Sequence, residues 1–151
     1  MALKPDRIEA YTDISFFMNE VAERGGVVVH LTGGSGVSMD DASAVVEYAA
    51  DSSGTAPAGL LLNDVVNIDL TRQHINWHKD EVQIGSKVTV LRQGQVTTDM
   101  VVNEDSPVAG EDAYYGANGL LSTTSTNSVK VGRFLSSKDA DGYVKVDINI
   151  T

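Results

Sequence analysis

The chain has 151 residues and a formal net charge of −10, from 21 acidic and 11 basic residues. Its hydrophobic content of 42% and charged content of 21% are those of a folded protein, and its length suits one domain or two very small ones. The basic residues are scattered instead of forming the Lys/Arg cluster that follows nucleic-acid phosphates, so we expect no nucleic-acid partner.

The sequence contains no cysteine, which excludes a disulfide framework, thiolate metal sites and a cysteine nucleophile. This composition fits folding in a reducing cytoplasm. The N-terminus, MALKPDRIEAYTD, carries charges where a signal peptide needs its apolar core. The apolar runs are also far shorter than the roughly twenty residues of a membrane span. We therefore expect a soluble protein with no export signal and no membrane partner.

Residues 1–12 are polar and include Pro5, which predicts an extended N-terminal arm. Residues 13–24 are ambiguous. Asp13 as an N-cap, Gly25 as a stop and apolar residues at helical spacing slightly favour a short helix. The alternative is a strand, because Phe16 and Phe17 are adjacent and the next segment has β character. The apolar residues at helical spacing are Ile14, Phe17, Met18 and Val21.

Apolar, β-branched runs separated by glycine-rich or polar loops predict strands through the first half of the chain. These runs are residues 27–31, 44–49 (where alanines leave a helix open), 60–62 and 65–70. The loops are 33–36, 51–57 and the polar connection 71–80. In the second half, residues 87–91 and 96–102 predict two strands joined by a turn at 92–95.

The C-terminal quarter carries two strong hairpin signals, Asn118-Gly119 and Asp141-Gly142, both typical of type I′ turns. The sequence therefore predicts an all-β fold, mainly an antiparallel sandwich or barrel of short strands and hairpins, with an extended N-terminal arm and at most one short helix. We divide the chain into an arm, 1–12, and a single β-rich domain, 13–151. A weak internal echo leaves open two similar β halves, about 13–80 and 81–151.

Candidate chemical sites are weak. His74 and His78 have the i, i+4 spacing of a helical metal pair, but their segment lacks helical periodicity, so packing or a subunit contact is favoured. The loop 33–36 lacks the Lys of a phosphate loop, and residues 139–142 lack the later ligands of a calcium loop. The many carboxylates form no recognisable catalytic motif. We expect no catalytic residues, cofactor or metal, and therefore no enzyme.

The order of the C-terminal motifs resembles small β-rich head decoration, or cement, proteins of tailed bacteriophages. The motifs that carry this resemblance are AGEDAY (109–114), NGLL (118–121), VGRFL (131–135) and DGYVKV (141–146). It is best over residues 85–150 and looser before them.

The resemblance implies a virion structural protein on the capsid exterior, assembled in the host cytoplasm. Its partners would be the major capsid protein and further copies of itself in a trimer or dimer, and it would clamp neighbouring capsid subunits together.

We place the capsid or subunit contacts at aromatic and basic residues in otherwise acidic, loop-like stretches. These residues are Lys4, Pro5, Arg7, Tyr11, Phe16, Phe17, His74, Trp77 and His78. The alternative function is a β-sandwich that binds carbohydrate or a host receptor on a phage tail or fibre, with Trp77, Tyr114 and Tyr115 as a stacking platform.

Overall fold

The computed structural model describes residues 3–4, 6–31, 45–64, 81–82 and 84–150. These residues contain eleven strands and one 3-10 turn, Ala117–Gly119, so the predicted all-β class is confirmed. The strands are β1 (Ile8–Met18), β2 (Ala22–Glu23), β3 (Val27–His30), β4 (Val45–Glu47), β5 (Pro57–Asp64), β6 (Glu81–Val82), β7 (Lys87–Thr98), β8 (Asp112–Tyr115), β9 (Leu121–Ser122), β10 (Gly132–Phe134) and β11 (Val144–Asn149). The expected loop 33–36, the apolar segment 65–70 and the connection 71–80 lie outside the described residues.

The long strand β7 organises the molecule. β1 pairs antiparallel with one edge of β7, from Ile8 opposite Gln95 to Phe17 opposite Lys87. The other edge of β7 is shared, because β5 pairs with residues 88–91 and β11 with residues 93–98. A single strand thus belongs to two groups of strands.

The first group, which we call the first ring, consists of β1, β4, β3, β5 and β7. It closes on itself, because β1 pairs with both β4 and β7. The pairing of β1 with β4 is parallel, and the other pairings in the ring are antiparallel. Its interior is filled by apolar side chains, which are Met18, Val28, Val46, Ala58, Leu61, Val82, Val88 and Val90.

The second group, which we call the second ring, continues from β7 through β11, β10, β8 and β9. A parallel bridge between Val101 and Leu121 brings β9 back to the chain that leaves β7. Its core includes Tyr115 and Phe134, and it also takes in Val27 of β3 and Leu60 of β5. β3 and β5 are therefore buried on both faces, between the two rings.

The favoured helix within residues 13–24 is wrong, because β1 and β2 occupy this segment. The helical spacing had no buried face behind it: Met18 is 1% exposed, whereas Ile14 is 53% and Val21 is 51% exposed. Hydrogen bonding along β7 determines the conformation instead. β1 also runs through residue 12, where we divided arm from domain. That division and the two-halves alternative stay predictions.

The expected turn at 92–95 is also wrong, since β7 is continuous from Lys87 to Thr98. Gly94 lies in the strand with φ of 154°, opposite a register shift between Glu9 and Tyr11 of β1. A glycine inside a strand often marks an irregularity or a close backbone approach, and this one marks both. Glycine and polar neighbours were therefore misread as a turn.

Both C-terminal hairpins are present. Asn118 (φ 59°, ψ 26°) and Gly119 (φ 75°) have the two positive φ angles of the predicted I′ geometry. At Asp141-Gly142 only Gly142 has positive φ, so a I′ turn there is wrong. The Asp139 carboxylate accepts hydrogen bonds from the backbone N–H groups of Asp141 and Tyr143, both at 2.9 Å, and this side chain selects a different turn.

Candidate functional site

Three exposed apolar side chains lie on β1. Ile8, Tyr11 and Ile14 are 59%, 54% and 53% exposed, although their strand is paired with β7. We call these three residues the apolar strip. Single exposed apolar residues are common, but three of the seven large apolar side chains that are exposed among the described residues lie on this one strand, and such a concentration favours a protein contact. Sequence analysis selected Tyr11 and missed Ile8 and Ile14.

The basic residues predicted at the contact make interactions within the chain. The Lys4 backbone N–H donates to the Thr97 carbonyl at 2.9 Å, and the Lys4 ammonium lies 4.4 Å from the Tyr143 ring centroid. Arg7 forms an ion pair with Glu9, two residues along the chain. Four other predicted contact residues lie outside the described residues: Pro5, His74, Trp77 and His78.

Phe16 and Phe17 are half-buried and less available than Tyr11. Phe16 packs against the core of the first ring, and its ring centroid lies 5.4 Å from that of His30. The Lys87 ammonium lies 5.9 Å from the centroid of Phe17. The structure thus places both phenylalanines at the end of β1 where it meets β4, beyond the apolar strip.

The aromatic platform imagined for sugar binding is not assembled from the tyrosines of β8. Tyr115 is 1% exposed, and its hydroxyl lies 2.7 Å from the Thr55 hydroxyl in the core between the rings. Tyr114 is only half-buried, but alternation along a strand sends it to the opposite face. Tyr115 therefore joins the two rings and does not stack on a ligand.

A groove adjoins the apolar strip at Tyr11. One part, about 240 Å³, is lined by Tyr11, Arg92, Gln93, Asn149 and Ile150. A second part, about 360 Å³, shares Arg92, Asn149 and Ile150 with the first and extends to His30, Ala56, Pro57, Val129 and Lys130. Burial lowers the pKa of His30, and the nearby positive charge of Arg92 lowers it further. Sequence analysis missed this groove because it placed Arg92 in a turn.

Tyr48 is half-buried and packs against the core of the first ring. Its hydroxyl donates to the Glu23 carbonyl at 2.5 Å and accepts from the Gly26 N–H at 3.1 Å. Burial, with the charges of Glu20 and Glu23 in addition, raises the pKa of the Tyr48 hydroxyl well above its usual value. The neutral phenol is thus the form that the folded state holds.

The raised pKa predicts that stability falls in strong alkali. Tyr48 makes its full contribution to the free energy of unfolding below its unfolded-state pKa of 10.0. This contribution is lost as the pH rises from there toward the higher folded-state pKa, by about 1.4 kcal/mol per pH unit. Tyr48→Phe should lower stability at neutral pH by about 1 kcal/mol and flatten this alkaline slope. Urea unfolding at pH 8 to 11 measures both, and equal slopes for variant and wild type would contradict the assignment.

Within the part of the chain that the structure describes, no group of three or more His, Asp or Glu side chains is arranged to hold a metal ion. The Asp139 carboxylate, which sequence analysis compared with a calcium loop, instead accepts backbone N–H groups of its own turn. In the same described residues, no helix is long and apolar enough to cross a membrane. The apolar strip and its adjoining groove are therefore the candidate contact surface within the described residues.

An all-β module that exposes an apolar strip on a firmly paired strand is suited to contact with other proteins. A family model described as "Structural cement protein (E217 gp24/Pam3 gp6)" matches residues 6–149, so the chain belongs to the family of phage structural cement proteins. This confirms the resemblance seen in the C-terminal motifs and makes the chain a structural protein of the virion.

The fold is also similar to that in "The crystal structure of head fiber gp8.5 N base in bacteriophage phi29". The two share a TM-score of 0.52 and 12% sequence identity, over 95% of this chain and 94% of the other. At this identity the likeness concerns the fold alone. No curated protein sequence matches the chain.

Proposed function

We propose that the chain binds the outer surface of a phage capsid and stabilises the shell by clamping neighbouring major capsid protein subunits. Membership of the cement family supports the class of partner. The observation that carries the contact is the apolar strip, Ile8, Tyr11 and Ile14, each more than half exposed on a strand that is already ordered.

The strip suits many weak contacts better than one strong contact. Burying the exposed half of each side chain contributes about 1 kcal/mol, so a single copy binds modestly. Because β1 is held by β7, little conformational entropy is lost when the strip docks. Copies repeated on a lattice, or joined in a dimer or trimer of this chain, then gain occupancy through multivalency.

The net charge of the protein argues against two classes of partner. With a net charge of −10, the protein is repelled by nucleic acid and by anionic membrane surfaces, so neither is proposed as a partner.

The protein is proposed to assemble in the host cytoplasm, to lie on the capsid exterior and to act without catalysis. Among the predicted contact residues, Tyr11 belongs to the strip, and Lys4, Arg7, Phe16 and Phe17 flank it along the same stretch of chain.

Replacing Ile8, Tyr11 and Ile14 together with serine should reduce shell binding at least tenfold, because the apolar contact area is lost. The measurement is co-sedimentation of the purified protein with expanded capsids, together with the capsid melting temperature, which wild type should raise. Val108→Ser is the matched control, because Val108 is 60% exposed but precedes β8 in the other ring. Wild-type binding by the triple variant would contradict the role of the strip.

The same proteins test the alternative function in carbohydrate or receptor binding. A sugar ligand that quenches Trp77 fluorescence, combined with no binding of wild type to capsids, would favour that alternative over the cement role. Deleting residues 2–12 would be a poorer test of the contact. Leu3 is 3% exposed in the core, so this deletion should weaken folding as well as contact.

A further inference from the structure

Arg92, beside the apolar strip, has a buried side-chain donor without an acceptor among the described residues. Its backbone carbonyl accepts a hydrogen bond from the Ile150 N–H at 2.8 Å, which fixes the position of the residue on β7. Its side-chain Nε is buried, and it has no hydrogen-bond partner among the described residues. The guanidinium carbon lies 5.8 Å from the Tyr11 ring centroid. A buried donor without an acceptor is costly and calls for an explanation.

The groove around Arg92 is positively charged in a strongly acidic protein. Arg92 and Lys130 line its larger part together with His30, whose lowered pKa favours the neutral imidazole, and apolar walls come from Pro57 and Ile150. Lys130 is already engaged, since its ammonium lies 3.0 Å from the Asp112 carboxylate. The described lining residues of both parts of the groove include no Asp or Glu. Among the described residues that line the groove, none thus brings a negative charge to Arg92, and the Asp112 carboxylate pairs with Lys130.

We propose that this groove binds a single carboxylate side chain on an extended segment of the capsid shell protein. The inference rests on the proposed function and names the chemistry of the partner. A carboxylate in the groove would pair with the guanidinium of Arg92, and arginine binds carboxylates in a bidentate geometry. Pro57 and Ile150 would cover the methylene groups of the incoming side chain, while the adjoining Tyr11 continues the contact onto the strip.

A single carboxylate side chain fits the groove better than a nucleic-acid backbone does. The cations are few and line a short hollow of about 360 Å³, which is the size of a side-chain site and not a track for successive phosphates. The whole chain carries a net charge of −10, which opposes a polyanion at longer range. A single carboxylate, approaching on a shape-matched segment, meets the local positive charge with least repulsion.

The first test uses a soluble probe and no capsid. A capped glycine peptide with a single Glu, and its Gln counterpart, are titrated into the full chain while NMR follows the Arg92 Nε–H and the His30 ring. The Glu peptide should shift both signals and raise the pKa of His30, because a nearby anion favours the imidazolium form. Added salt should weaken the effect. Equal shifts with both peptides, or no shift, would overturn the proposal.

The second test uses capsids. Arg92→Met should weaken binding to expanded shells about tenfold, with Lys145→Met as the control for loss of a positive charge, because Lys145 lies on β11 and lines neither part of the groove. If Arg92→Met folds poorly by its melting temperature, Arg92→Lys keeps the charge but loses the two-donor fork, and a severalfold loss is expected.

The outcomes distinguish failure of the groove proposal from failure of the proposed cement function. If neither Arg92 substitution weakens shell binding and the peptides have no effect, the proposal for the groove is overturned. The proposed cement function is then unaffected. Failure of the wild-type protein to bind shells would overturn the proposed function, and it would remove the shell protein as the source of the carboxylate.

Discussion

Replacing Gly132 with alanine is expected to lower the free energy of unfolding by about 3 to 5 kcal/mol. A Cβ at this position would lie 1.8 Å from the backbone carbonyl oxygen of Asp147 on the neighbouring strand. Backbone cannot move aside as a flexible side chain does, so β10 must separate from β11. Their pairing, from Gly132 opposite Ile148 to Phe134 opposite Val146, holds the fully buried Phe134 in the second ring.

Gly116→Ala is the matched control for this experiment. Gly116 lies just before the 3-10 turn with φ of −120°, and the nearest atom to an added Cβ is 3.9 Å away. Its replacement should change the free energy of unfolding by less than about 0.5 kcal/mol. The change can even be stabilising, because alanine lowers the conformational entropy of the unfolded chain. Urea unfolding monitored by circular dichroism compares the two. Equal stabilities for the two variants would show that β10 and β11 are not held this closely.

The features that sequence predicted best are those whose chemistry is local. Asn118-Gly119 forms its hairpin turn because both residues tolerate positive φ, and the dipeptide states this directly. The Asp141-Gly142 hairpin was also placed correctly, but its turn type depends on the Asp139 side chain, which lies outside the dipeptide. Prediction thus succeeded for the existence of the hairpins and failed where one further residue decides the geometry.

The features that sequence predicted poorly depend on distant pairing. Residues 13–24 carry a helical spacing by chance, and only the edge of β7, more than sixty residues later, makes β1 extended. In the same way, Gly94 reads as a turn until β1 is seen to pass beside it. Strand pairing between remote segments leaves little trace in the local order of residues.

The candidate site, too, was predicted only where a single residue is informative without the fold. Tyr11 was selected because an aromatic residue in a polar arm is informative by itself. Ile8 and Ile14 gave no such signal, since an apolar residue in a strand is normally buried, and only the folded structure shows them exposed. Arg92 was unremarkable in a supposed turn and becomes a candidate only through its buried, unpartnered Nε. Exposure and pairing, rather than residue type, define this surface.

The architecture links the stability of β7 to the contact surface on β1. Gly94→Ala would place a Cβ 2.1 Å from the Ile8 carbonyl oxygen, at a backbone φ of 154° that suits glycine. We expect a loss of about 2 to 4 kcal/mol, concentrated where β1 leaves β7 between Ile8 and Tyr11. Hydrogen exchange should therefore accelerate at the amides of residues 8–11, while the amides of β10, which does not pair with β7, stay protected.

This local release also has a functional consequence, because the apolar strip is presented on the displaced strand. Shell binding by Gly94→Ala should fall at least tenfold, although all three strip residues are retained, since the strand must be ordered again before it docks. Gly85→Ala provides the control: Gly85 also has positive φ (77°), but an added Cβ meets nothing within 4 Å, so it tests backbone strain alone, at about 1 kcal/mol. If Gly94→Ala frees the β1 amides yet binds shells like wild type, ordered presentation of the strip by β7 is not what makes the contact.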